Sequence, residues 1–239
     1  MGTSAEIFQA QLSRVLPVLQ GQGHEFVFVD GLQEYIKLVY PPPYLAYYPI
    51  ARPDLVREAQ AYMREVIEDE GPFDGVMGFS QGAALAASLV LEHAKYSPLT
   101  TLFKFAVFIC GTLPFNVDDE NGLEMWQVTK AGNGPYAGEF AGEIDAVEPL
   151  GFPNDLEGTI LGRYHPTKNL KVRIGIPTVH VIGKADAYAM QSKALSKLCQ
   201  GDVTILEHEE GHRVPRDDKG AKLIAKAVEN MIRRVRYAQ

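Results

Sequence analysis

Cysteine is nearly absent: the 239 residues contain two, Cys110 and Cys199, and no Asn-x-Ser/Thr acceptor sequence. A disulfide framework is therefore excluded, and secretion has no support. Basic residues are in deficit, with a formal net charge of −7, which argues against a nucleic-acid surface. The densest basic cluster, Arg233-Arg234-Val235-Arg236, falls in a terminal helical pattern and reads as a solvated face. No apolar run reaches the length of a membrane span, and no charged segment followed by an apolar one opens the chain. Glu6 stands where a myristoylation signal needs Ser or Thr. Zinc spacings such as C-x-x-C or H-E-x-x-H and glycine-rich phosphate loops are also missing, so no metal and no cofactor is expected, and both cysteines read as small buried apolar residues. Together these absences predict a cytoplasmic protein with neither membrane nor nucleic-acid partners.

No linker or low-complexity stretch divides the chain, and its length suits a single domain, 1–239. Apolar strand-like runs alternate with helical patterns, the signature of a mostly parallel sheet with helices on both faces. The strand candidates are Phe26–Asp30, Gly75–Gly78, Phe105–Ile109, Thr178–Ile182 and Val203–Leu206. Leu55, Ala59, Tyr62, Met63 and Val66 form one helical stripe that stops at Gly71-Pro72. A last helix begins near Asp217 or Asp218 and is expected to bury Leu223, Ile224, Ala227, Val228 and Met231. Residues 112–170, rich in glycine, proline and scattered aromatics, are too long for an ordinary connection and predict a lid or pocket wall. A second aromatic loop spans Pro41–Pro49. From these two segments Tyr44, Tyr47, Trp126, Tyr136 and Phe152 are candidate substrate-binding residues, with packing inside the insertion as the alternative for each.

The stretch Gly78-Phe79-Ser80-Gln81-Gly82 reads G-x-S-x-G, between an apolar strand and the strong helix former Ala83–Leu91. Strand, serine and helix in that order turn the hydroxyl out of the sheet at a helix N-terminus, where negative charge is favoured. A serine hydroxyl is a weak nucleophile, so it needs a base and a group that holds the base's tautomer. Asp186 follows the strand ending at Ile182, and His212 follows Gly211 in the loop after Val203–Leu206, giving the order serine, acid, histidine. His208 continues its strand's alternation and is set aside. Asp202 and Glu207 are weaker rivals for the acid, Asp202 because it precedes its strand.

With these residues in place, the chain resembles the fungal family of serine hydrolases called FSH, a branch of the α/β hydrolases. The likeness rests on GTSAEIF at 2–8, EFVFVDG at 25–31, PFDGVMGFSQGAALA at 72–86, GKADAY at 183–188 and EEGHRVP at 209–215. It implies an α/β-hydrolase fold and carboxylester or thioester hydrolysis, with Ser80 as nucleophile, Asp186 as acid, His212 as base and the Gln81 N–H in the oxyanion hole. It further implies a polyketide-type acyl ester or thioester as substrate, with an acyl carrier domain as one source of the thioester. The family opens with a strand and an L-H-G-x-G-T loop, whereas this chain starts Met1-Gly2-Thr3. A central strand beside Phe26–Val29 is therefore expected to be missing, with Thr3 as the remaining candidate for the second oxyanion donor. Three alternatives follow: a homodimer that exchanges a strand, a fold that binds or rearranges a polyketide-like ligand without hydrolysing it, and a pure interaction protein.

Overall fold

The computed structural model describes residues 4–34, 44–118, 123–124, 159–164, 166 and 171–237. Its centre is a four-stranded parallel sheet in the order β3-β4-β7-β8. These strands are β3 (Gly75–Phe79), β4 (Phe105–Ile109), β7 (Thr178–Gly183) and β8 (Val203–His208). Two-residue strands β1 (Gln33–Glu34) with β2 (Leu45–Ala46), and β5 (Leu123–Glu124) with β6 (Thr159–Ile160), form antiparallel pairs. The helices are α1 (Ala5–Gln11), α2 (Leu16–Gln20), α3 (Pro53–Glu70), α4 (Gln81–Tyr96), α5 (Ala189–Lys197) and α6 (Asp218–Tyr237).

The period of two in β4 divides the core. Val107 and Ile109 point to one face, where Leu12, Leu16 and Leu19 pack with Ile224, Val228 and Met231 of α6. Ala106 and Phe108 point to the other, against Ala83, Ala87 and Leu91 of α4 and Leu195 and Leu198 at α5. A strand buried on both faces must be apolar throughout, as Phe-Ala-Val-Phe-Ile is. Along α6 the apolar stripe falls on the expected face, and each fully enclosed side chain there contributes about 1.5–3 kcal/mol. Leu223 departs from the expectation: it is 48 % exposed, because one position of helical rotation carries it off the stripe that Ile224 and Val228 define.

The strand expected at Phe26–Asp30 is the larger correction. Residues 24–30 carry no strand assignment, and β3 forms the edge of its sheet among the described residues. The apolar alternation there is that of a strand, but a strand exists only through a ladder partner, and no described segment pairs with it. Between this segment and β3 lies a cavity of about 650 Å³ that reaches Ser80. Most of 112–170, including Trp126, Tyr136 and Phe152, lies outside the described residues, as does Thr3.

Candidate active site

Ser80 sits where β3 turns into α4. Its backbone has φ 54° and ψ −116°, a conformation that costs a non-glycine residue about 1–3 kcal/mol. Three hydrogen bonds hold it there. Its N–H donates to the Ile109 carbonyl at 3.0 Å, and its own carbonyl accepts from Ala83 and Ala84 at 3.1 and 3.2 Å. Gly78 makes the turn sterically feasible, since a β-carbon there would lie 2.5 Å from the Ala83 nitrogen and the Gly82 carbonyl.

Asp186 and His212 arrive from the two neighbouring loops at the carboxyl end of the sheet. Asp186 follows β7, its N–H bonded to the Gly183 carbonyl at 3.2 Å. His212 follows β8, and the two loops are tied by Ala185 N–H donating to the Glu210 carbonyl at 3.3 Å. Asp186 Oδ1 accepts from the Tyr188 N–H at 2.8 Å, while Oδ2 lies 2.8 Å from His212 Nδ1. His212 Nε2 is 2.8 Å from Ser80 Oγ. Burial raises the Asp186 carboxyl, but the hydrogen bonds from His212 and the Tyr188 N–H outweigh it and leave the group below its ordinary value. An ionised carboxylate only accepts, so Nδ1 must carry the proton; the Nε2 of a neutral ring then accepts from the Ser80 hydroxyl.

Two aromatic rings frame the imidazole, Phe79 at 5.0 Å and Tyr188 at 5.1 Å between centroids. Neither was singled out by the sequence pattern, although Phe79 is a variable position of the G-x-S-x-G stretch and Tyr188 stands two residues beyond Asp186. A third neighbour is Cys110, a free cysteine whose sequence signal is only that of a buried apolar residue. Its sulfur, a carboxylate oxygen of Asp186 and a ring nitrogen of His212 all lie within 4.8 Å of one another.

The other candidates are placed as follows. Gln81 is the first residue of α4, and first-turn N–H groups carry the partial positive end of the helix dipole. Its side chain staples the aromatic loop to the elbow: Oε1 accepts from the Tyr47 N–H at 3.1 Å and Nε2 donates to the Tyr48 carbonyl at 2.7 Å. Tyr47 consequently lies against the elbow, 3.7 Å from where a β-carbon on Gly82 would stand, and its hydroxyl donates to the Val29 carbonyl at 3.1 Å. Burial pushes that phenol up to about 12. Tyr44 is buried at 6 % exposure. The rival acids are engaged elsewhere, Asp202 with Arg234 at 3.0 Å and Glu207 with Lys193 at 3.2 Å, and the buried ring nitrogens of His208 hydrogen-bond neither Ser80 nor Asp186.

This geometry sets the comparisons with known proteins in context. The family model described as Serine hydrolase (FSH1) matches residues 51–223. The chain belongs to the FSH1 serine hydrolase family. Among curated relatives, this FSH1-family chain is 30 % identical to Hydrolase FUB4 of Gibberella moniliformis, over 89 % of its own length and 88 % of that protein's. It is likewise 30 % identical to Esterase FPY3 of Fusarium mangiferae, over 97 % and 93 % of the two chains. Among solved structures, the Bacillus cereus carboxylesterase superposes with a TM-score of 0.50 at 12 % identity, covering 96 % of this chain and 84 % of that one. At such identity the likeness concerns the fold, which is that of the α/β hydrolases. The FSH1-family chain is thus a serine hydrolase of the esterase type, and none of its helices among the described residues is long and apolar enough to cross a membrane.

Proposed function

We propose that this serine hydrolase cleaves an ester or thioester of a polyketide-type acyl group through an acyl-enzyme formed on Ser80. The observation that carries the reading is the unbroken line of contacts from Asp186 Oδ2 to His212 Nδ1 and from His212 Nε2 to Ser80 Oγ, each 2.8 Å. Ser80 Oγ attacks the acyl carbon while Nε2 takes the hydroxyl proton, and Asp186 stabilises the imidazolium that results. The Gln81 N–H, at the positive end of α4, stabilises the tetrahedral oxyanion. Collapse breaks the bond to the leaving oxygen or sulfur, which receives its proton from His212. Water then adds to the acyl carbon with His212 as base, releasing the carboxylic acid and restoring Ser80. The rings of Tyr47, Phe79 and Tyr188 around the elbow favour an apolar or aromatic acyl group over a small charged one. The polyketide class, and an acyl carrier domain as thioester donor, rest on the resemblance to the FSH family.

The test is fluorophosphonate labelling together with hydrolysis of p-nitrophenyl esters and acyl thioesters. Wild type labels at Ser80, and Ser80→Ala or His212→Ala lowers kcat by at least about 10³-fold. Absence of labelling in folded wild type, with Ser80→Ala turning over ester as fast, would sink the reading. Preference for thioesters over p-nitrophenyl esters supports the carrier-bound substrate, and the reverse order removes it.

A further inference from the structure

We propose that the cavity beside β3 is the binding site for the substrate's acyl chain, and that it selects a long chain bearing keto or hydroxyl oxygens. The inference rests on the acyl-transfer reading of Ser80, and it gives the transferred group a place in the fold.

The cavity follows β3 from end to end. Every residue from Pro72 to Gly82 lines it, so it begins beside Ser80 and continues to the amino end of the strand. Five residues at about 3.3 Å each make a slot about 16 Å long. A zigzag carbon chain advances about 1.3 Å per bond, as bond lengths near 1.5 Å and tetrahedral angles require, so about twelve carbons span it. Its volume of about 650 Å³ lies within the roughly 300–1,000 Å³ of small-molecule sites. Leu12, Leu19 and Val228 cover it on one face of the sheet and Leu85 and Leu89 of α4 on the other, while Phe26, Phe28 and Val29 form the wall opposite β3. At the Ser80 end Tyr47 ties the two walls together, its ring beside Gly82 and its hydroxyl donating to the Val29 carbonyl at 3.1 Å.

Apolar side chains alone would suit a plain hydrocarbon, but the β3 wall differs. Ser80 N–H donates to the Ile109 carbonyl on β4, so by the alternation of a parallel ladder Gly75, Met77 and Phe79 turn their N–H groups into the slot, where no described strand pairs with them. Donors about 6.6 Å apart therefore line an otherwise apolar site. A hydrocarbon chain that displaces water leaves them without partners, whereas a chain with oxygens replaces the bonds to water. A peptide strand would also satisfy these donors. The continuity of the slot with Ser80 Oγ decides between them, because the group joined to that oxygen during turnover is an acyl chain.

Two measurements test this. In the first, kcat/KM is compared for p-nitrophenyl acetate, hexanoate, decanoate and a decanoate with a mid-chain keto group, normalised to sites titrated with a fluorophosphonate. Wild type is expected to gain at least about tenfold from acetate to decanoate and about five- to tenfold more from the keto group. Val66→Trp, which reaches the slot from α3, should lower the decanoate-to-acetate ratio at least about tenfold. In the second, wild-type Ser80 carries either a methyl or a decyl fluorophosphonate, and amide exchange is followed at Gly75, Met77 and Phe79. The decyl adduct should slow these three amides at least about tenfold relative to the methyl adduct, which reads occupancy of the slot even where Val66→Trp does not fold. Turnover that falls from acetate to decanoate, equal turnover of the two decanoates, or exchange alike in both adducts overturns the proposal. So does unlabelled protein in which the three amides are already as protected as Val107, since a strand then fills the slot. In each of these cases labelling and acetate hydrolysis still depend on Ser80; if the parent reading fails, they do not.

Discussion

At the scale of single residues, His180 shows how enclosing an imidazole sets acid tolerance. It lies in the middle of β7 at 1 % exposure, its Nε2 3.1 Å from Thr178 Oγ1 and 3.5 Å from Cys199 Sγ, its ring 5.2 Å from that of Phe108. Burial pushes it down from its ordinary 6.5 to about 4. Between those two values the unfolded chain binds a proton that the folded one refuses, so stability falls as pH drops through this window and is complete above it. The loss is on the order of 3 kcal/mol. Asp186, held below its ordinary value, acts in the same sense at still lower pH: its contribution is present above the unfolded value and disappears as pH falls through the folded one. Replacing the titrating ring by His180→Gln should leave the Asp186 effect and remove most of the slope between pH 6.5 and 4. Urea midpoints of wild type and variant across that range check it, and parallel curves would refute it.

At the scale of elements, the β3–Ser80–α4 unit separates two glycines that a motif treats alike. A β-carbon on Gly78 meets backbone atoms of Gly82 and Ala83 at 2.5 Å, whereas one on Gly82 meets only the far edge of the Tyr47 ring at 3.7 Å. Gly78→Ala should therefore push α4 away from β3, destabilising by about 1–3 kcal/mol and lowering ester hydrolysis by displacing Ser80. Gly82→Ala should leave the fold intact or firmer by up to ~1 kcal/mol, since alanine is the better helix former. Thermal melts of the two variants decide this, and equal destabilisation would be the wrong outcome. The same unit shows why so much was legible in the chain. The elbow is local, written in nine or ten consecutive residues, and Asp186 and His212 each stand just beyond an apolar run that ends a strand. Cys110 reaches the site only through the folding of distant segments, and nothing around Tyr188, two residues beyond Asp186, signals a ring laid against the imidazole of His212. For Phe26–Asp30 the pattern was right for a strand, but pairing belongs to the neighbour and not to the segment.

At the scale of the whole molecule, the sheet is covered by helices on both faces, yet β3, one of its two edge strands among the described residues, has no strand on its outer side and leads into Ser80. The six residues of β7 are all buried, while four of the five in β3 are only partly so. Ser80 N–H bonds toward β4, and in a parallel ladder successive residues bond to opposite neighbours, so Gly75, Met77 and Phe79 turn their N–H groups to the side where no described strand lies. That side is the cavity of about 650 Å³ bounded by Phe26, Phe28 and Val29, large enough for water to reach the backbone. Amide hydrogen exchange should then divide along the sheet. Amides in β4 and β7 exchange only through global unfolding, whereas those of Gly75, Met77 and Phe79 exchange by a local route at least about 100-fold faster. If their protection instead matched that of Val107 and Val181, the edge would have to be covered in solution by another strand. Light scattering would identify a second copy of this chain as its source, since pairing between protomers disappears on dilution while pairing within one chain does not.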